Sequence, residues 1–178
     1  DKKMIVDYSE KIYLKPITSA DTENIIRWRN KDNVRKFFLD QRLFTVEGHT
    51  NWLENVVKTG RAAQFIIYEK DENVPVGSVF LRDIDYQNKK AEYGIFIGED
   101  TARGKGIGTE AAKSIVQYGF AELKLHKIFL RVLADNKGAI KSYENAGFVQ
   151  EAYLKDEVLL NGEYRDIVLM AVVNPGRS

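Results

Sequence analysis

Residues 103 to 108 read Arg-Gly-Lys-Gly-Ile-Gly, directly after an apolar, strand-like run and directly before an amphipathic pattern of helical period. That arrangement builds a pyrophosphate cradle. Glycines turn the backbone through φ > 0 and let several N–H groups approach a diphosphate, and the N-terminus of the next helix adds partial positive charge. Arg103 and Lys105 beside three glycines supply more cation than a plain turn needs, so Arg103, Gly104, Lys105, Gly106, Ile107, Gly108 and Thr109 are the candidate binders of a nucleotide-like cofactor. The chain has no cysteine, which excludes disulfides, thiolate metal sites and an acyl-cysteine intermediate. His49 and His126 are its only histidines, and no metal is expected.

The elements that must position the cradle follow from periodicity and caps. Ile12, Leu14 and Ile17 mark a short strand; Thr18 or Ser19 then caps a helix from about Asp21 to Asn30, with Ile25, Ile26 and Trp28 on its apolar face. A second helix follows Thr45, carries Trp52, Leu53, Val56 and Val57, and stops at Gly60. Phe65 to Tyr68 and Val76 to Ile84 flank the turn Asp71-Glu72-Asn73 as an antiparallel hairpin, and Ala91 to Gly98 is the next strand. The cradle feeds a helix with Ile107, Ala111, Ile115 and Tyr118 at helical spacing. Lys127 to Ala134 is a strand and Asp135 to Ala146 a short helix ended by Gly147; Phe148 to Leu160 and Glu163 to Val173 form a hairpin around Asn161-Gly162. This order implies an α/β (α+β) domain, with a mixed sheet covered by helices.

Composition bounds the partners. The 178 residues suit one domain, taken as 12–173, with an N-terminal extension over 1–11 and a tail over 174–178; Met4 is the expected natural start, with residues 1–3 a cloning remnant. A net charge of +1 leaves no electrostatic footprint for nucleic acid. Apolar runs fall far short of the ~20 residues of a membrane helix and no secretory pattern opens the chain, so a cytoplasmic protein acting on small molecules or local protein surfaces is expected.

Gly106-x-Gly108-x-x-Ala111 formally meets the dinucleotide fingerprint, but that fingerprint follows the first strand of a parallel βαβ unit, and here an antiparallel hairpin precedes it. No Gly-Lys-Ser/Thr triplet is present for a kinase loop. RGKGIG before a helix, then Asn136, then Tyr143 within Ala139-Ile140-Lys141-Ser142-Tyr143-Glu144-Asn145-Ala146-Gly147-Phe148, closely resembles the GCN5-related N-acetyltransferase (GNAT) superfamily. Its pyrophosphate signature, Arg or Gln, two residues, Gly, one residue, Gly or Ala, is met by Arg103, Gly106 and Gly108. The resemblance spans about residues 12 to 173. It implies a sheet of about seven strands, mostly antiparallel, splayed at a central parallel pair formed by strands 91–98 and 127–134 and flanked by about four helices. It also implies acetyl-CoA as cosubstrate in the splay, with the pantetheine arm pairing near Phe96 and Ile97, and Asn136 and Lys141 or Lys137 beside the cofactor.

Acetyl transfer from a thioester to an amine needs a neutral amine, a stabilised oxyanion and a protonated leaving thiol. An alkylammonium has a pKa near ~10, so a base is needed at neutral pH. Glu92 is the candidate, an acid early in a strand whose alternation puts Glu92, Gly94 and Phe96 on one face. Its structural alternative is an ion-paired glutamate at a strand end. Tyr143, in register with the superfamily tyrosine, is the candidate general acid, with core packing as its alternative. N–H donors freed by the splay near Phe96 to Gly98 would meet the oxyanion. Asn136 serves equally well as a helix cap.

Acceptor specificity is assigned to the first quarter, where Trp28, Arg29, Arg35, His49 and Trp52 are candidate substrate contacts. This set resembles acetyltransferases that modify nucleotide-linked amino sugars, as in the pseudaminic acid pathway, with arginine pairing diphosphate and an aromatic ring meeting base or sugar. Both tryptophans also suit core anchoring. Alternatives are a ribosomal-protein or N-terminal α-amine acetyltransferase, which shares Gly162-x-Tyr164-x-Asp166, a polyamine acetyltransferase, and a non-catalytic acetyl-CoA-binding regulator. A homodimer is compatible with the fold.

Overall fold

The computed structural model describes residues 4–176. The expected remnant at 1–3 and the end of the expected tail, 177–178, lie outside them. Strand β1 (Ile12–Pro16) buries Ile12 and Leu14 completely and turns Lys15 to solvent, the alternation of a half-buried strand. Val6 is buried and exchanges both backbone hydrogen bonds with Leu14, at 2.9 and 2.8 Å.

Thr18 and Asp21 form a reciprocal capping box that launches a single 3-10 turn and then α1 (Thr22–Arg29). A further helix, α2 (Asp32–Arg35), is absent from the sequence reading because four residues are too few to show a period. With it the sheet is flanked by five helices rather than about four. Thr45 caps α3 (Val46–Trp52) by accepting from the Gly48 N–H, and α3 runs on through a π-helical stretch, Leu53–Val57. Then come β2 (Ala63–Glu69), β3 (Val74–Asp85), β4 (Lys90–Ile97), α4 (Ile107–Ala121), β5 (Lys127–Leu133), α5 (Lys137–Asn145), β6 (Val149–Leu160) and β7 (Glu163–Val173). Asn161 and Gly162 both have positive φ, the geometry of the two-residue turn expected between β6 and β7.

The seven strands form one sheet in the order β1-β2-β3-β4-β5-β7-β6. Every neighbouring pair is antiparallel except β4 and β5. One face packs on α4 and α5 through Leu81, Ala91, Tyr93, Ala111, Ile115, Ile128 and Phe148. The other packs on α1 to α3 through Ile25, Trp28, Leu53, Ile66 and Phe96. The alternation expected along β4 is therefore observed, with Tyr93 and Phe96 in different cores.

Candidate active site

The parallel pair β4/β5 holds together only where Lys90–Glu92 meets Lys127–Phe129. Beyond Glu92 the strands part, although β4 stays paired with β3 as far as Ile97 and β5 with β7 as far as Leu133. Strand groups that turn away from each other in this way leave backbone N–H and C=O groups without a sheet partner, and a ligand's amides can take them. A cavity of about 1330 Å³ opens through this fork and runs between the cradle and the α1–α3 side.

At the cradle, Gly104 and Gly106 both hold φ of 77°, where a side chain is strained, and Gly106 caps α4 with its carbonyl accepting from Glu110 N–H at 3.1 Å. Gly104, Gly106, Ile107, Gly108 and Thr109 line the cavity, so this loop presents backbone donors and a helix N-terminus to it. These residues fit a diphosphate. Arg103 lines the cavity too, with Nη2 donating to the Ile97 carbonyl at 3.2 Å. Lys105 departs from the expectation. Its ammonium turns to Glu69, 3.2 Å away, while its carbonyl accepts from Lys11, so Arg103 is left as the cationic side chain of the loop that lines the cavity. Ser142, which sequence reasoning missed, bonds Thr109 across α4 and α5 at 3.0 Å and also lines the cavity. No spacing rule flags a serine that matters only because two helices meet.

Asn136 caps α5, its Oδ1 accepting from Ala139 N–H at 3.3 Å, and Lys141 is exposed at the cavity rim. The side chain of Phe96 is buried against Phe38, and Gly98 N–H already donates to the Val76 carbonyl at 2.8 Å. That removes Gly98 from the expected oxyanion donors; the stretch of β4 from Tyr93 to Ile97 has lost its β5 partner, and it includes the expected Phe96 and Ile97.

Glu92 and Tyr143 both line the cavity. Glu92 is nearly buried, with Oε2 accepting from Arg131 Nε at 2.8 Å, and this bond pushes the Arg131 guanidinium above its ordinary value. Tyr143 projects from α5 against Tyr93 and Phe148, with ring centroids 5.6 and 6.0 Å away. Its apolar surroundings push its hydroxyl up to about 12, which keeps the proton on the phenol.

The candidate acceptor contacts divide. Arg29 is buried, with its guanidinium 3.6 Å from the centroid of the Phe38 ring and 4.8 Å from that of Phe44, and Nη2 donating to the Asp40 carbonyl. Desolvation lowers it to about 10, so it remains charged. His49 is buried at the cavity wall; Nδ1 meets Thr22 Oγ1 at 3.0 Å, Nε2 has no partner, and burial pushes the ring below its ordinary value. Trp52 lines the cavity while Nε1–H donates to Gln64 Oε1 at 2.7 Å. Trp28 and Arg35 are not brought to the cavity. Trp28 is completely buried, donates to Glu99 and packs so tightly on Gly98 that a Cβ there would lie 2.0 Å from its Cγ. Arg35 donates to the Gln41 carbonyl and to Asp32, bracing the segment that follows α2. Asn30, beside them in sequence, clamps Phe44 through both the Phe44 backbone N–H and its carbonyl, and only the fold brings residues 30 and 44 together.

The Acetyltransferase (GNAT) domain model matches residues 11–149. Spermidine N(1)-acetyltransferase of Vibrio cholerae is 26% identical over 165 residues, covering 93% of this chain and 94% of that protein. The probable N-acetyltransferase YjcK of Bacillus subtilis is 30% identical over 172 residues, covering 92% and 94%. Among solved structures, spermidine N-acetyltransferase from Vibrio cholerae in complex with CoA and spermine aligns with a TM-score of 0.85 at 25% identity, covering 93% of this chain and 96% of that one. A sheet forked at its one parallel pair, a glycine cradle at the mouth of the fork and this match over most of the chain lead to one conclusion: the protein belongs to the GNAT acetyltransferase family and is an acetyl-CoA-dependent N-acetyltransferase.

Proposed function

We propose that the acceptor is a primary amine on a small molecule that also carries negative charge, of the nucleotide-linked amino-sugar class. The observation that carries this reading is the charge of the cavity wall. Arg29, Arg42, Arg82 and Arg131 line it, against the carboxylates of Asp40 and Glu92. Each of those carboxylates is already bound by an arginine: Asp40 by Arg42 at 2.7 Å and Glu92 by Arg131 at 2.8 Å. A polycation entering this chamber would meet no unpaired carboxylate on the wall; Arg42 and Arg131 are held in those same pairs and Arg82 meets Asp83 at 3.3 Å, so what favours a diphosphate is the excess of guanidinium over carboxylate on the wall rather than free forks. A polyamine is the second reading, favoured by the Vibrio cholerae relative above, a spermidine N(1)-acetyltransferase matched over 94% of its length, and by its structure with CoA and spermine.

In either case Glu92 accepts a proton from the incoming ammonium, directly or through a water, so that the amine nitrogen can attack the thioester carbonyl. The N–C bond forms to give the tetrahedral oxyanion, the nitrogen loses its remaining excess proton to solvent, and as the oxyanion collapses the C–S bond breaks and Tyr143 donates its hydroxyl proton to the departing thiolate. Backbone N–H groups between Tyr93 and Ile97 stabilise the oxyanion. The chain has no cysteine to form an acyl-cysteine intermediate, and in this proposal the acetyl group passes directly from donor to acceptor.

The test is thiol release from acetyl-CoA with a nucleotide-linked 4-amino-6-deoxy sugar, spermidine, an N-terminal peptide and no amine in parallel. Release with the nucleotide sugar alone supports the first reading. Release with spermidine alone overturns it in favour of the second, and release with the peptide alone removes both.

A further inference from the structure

Tyr93 follows Glu92 in β4 and sits inside the core on the α4 side with 4% of its surface exposed. Its ring stands perpendicular to that of Tyr143, with centroids 5.6 Å apart, and lies 5.5 Å from that of Phe148. Both tyrosines line the cavity. The Tyr93 hydroxyl is shielded and has no hydrogen-bond partner among the described residues. An orphaned buried hydroxyl carries a desolvation cost that nothing repays and that a phenylalanine of the same shape would avoid. Arg29, Arg35 and His49 also carry buried polar atoms without partners, but Tyr93 is the one whose ring packs on Tyr143.

A phenol that gives up its proton in an apolar pocket leaves a phenolate, and a buried anion without a donor is expensive. The same apolar surroundings push both phenols up, which makes that anion costly at Tyr143. We propose that Tyr93 is a positioning residue for acetyl transfer, its O–H donating a hydrogen bond to the Tyr143 oxygen as that oxygen protonates the leaving thiolate. The inference rests on Tyr143 being the general acid. The proton moves from Tyr143 to sulfur as the C–S bond breaks; Tyr93 keeps its own proton, and Tyr143 is reprotonated from solvent before the next turnover. Because the Tyr93 hydroxyl is unbonded in the resting structure, the bond forms only as charge develops, and such an interaction raises kcat rather than affinity.

The experiment is a double-mutant cycle of Tyr93→Phe and Tyr143→Phe, with kcat, KM for acetyl-CoA and melting temperature measured for each variant. In the otherwise native enzyme Tyr93→Phe lowers kcat by about tenfold to a hundredfold, with KM for acetyl-CoA within about twofold and the melting temperature unchanged or higher. In the Tyr143→Phe background the same substitution changes kcat by less than about twofold. A purely structural hydroxyl would leave kcat unmoved. Wild-type kcat in Tyr93→Phe while Tyr143→Phe is impaired overturns this inference alone, as does an equal loss in both backgrounds; wild-type kcat in Tyr143→Phe removes the acid assignment itself.

Discussion

Glu92 and Arg131 face each other across the fork of the sheet. Glu92 is the last residue of β4 in register with β5, opposite Phe129, and Arg131 stands two positions further along β5 with Nε 2.8 Å and Nη2 3.4 Å from the two carboxylate oxygens. The guanidinium thereby orients the carboxylate at the point where the strands separate and the cavity begins.

If that carboxylate is the base, Glu92→Gln should lower kcat/KM for the amine by about a hundredfold near neutral pH, the usual worth of a positioned base. The deficit should shrink towards about pH 10, where the free amine is no longer scarce. A pH–rate profile parallel to that of the native enzyme would assign Glu92 to structure.

Tyr143→Phe removes one hydroxyl and leaves the ring contacts with Tyr93 and Phe148 in place. Turnover should fall by tens-fold or more while acetyl-CoA affinity, read by calorimetry, stays within about twofold. Tight binding with unchanged turnover would place the proton source elsewhere.

Gly106→Ala puts a Cβ on a residue with φ of 77°, 3.3 Å from the Lys11 ammonium. The backbone conformation alone costs about 1–2 kcal/mol, and relaxing it moves the N–H groups of the cradle. CoA binding should weaken by about tenfold or more, whereas Gly162→Ala, equally strained at φ of 81° but in the β6–β7 turn away from the cavity wall, should leave it unchanged. Equal CoA affinity in both variants would exclude the cradle as the diphosphate site.

His49 gives the fold a pH dependence of definite sign. Desolvation holds its folded-state value below the ordinary ~6.5, so the unfolded chain takes up the proton first. Its contribution is complete above about pH 6.5 and is lost as pH falls towards the lower folded value. Thermal melts between about pH 7.5 and 5.5 should show a decline that His49→Gln flattens; identical slopes for the two proteins would mean that His49 is not the group responsible.

The local elements were legible because their signals are local. Thr18 with Asp21, Thr45 before Gly48, Asn161-Gly162 and the alternation of β4 each concern residues a few positions apart, and all appear in the structure. The cradle was legible for the same reason, since φ > 0 at a glycine before a helix is a property of its own loop. Helix α2 was not, because four residues show no period.

By itself the sequence determined the order of the strands and of the helices other than α2, the glycine cradle and, through two motifs thirty-odd residues apart, the superfamily. Only the tertiary structure decided which side chains reach the cavity. Trp28 and Arg35 match the character of Arg29 and Trp52 in composition, yet the former pair brace the core and a loop while the latter pair line the wall. Lys105 looked like a phosphate ligand until Glu69, thirty-six residues away, claimed its ammonium. The reason is physical: backbone conformation is set within a turn of chain, but the partner of a long charged or aromatic side chain is set by whatever the fold brings within hydrogen-bonding distance, and that neighbour carries no mark in the local pattern.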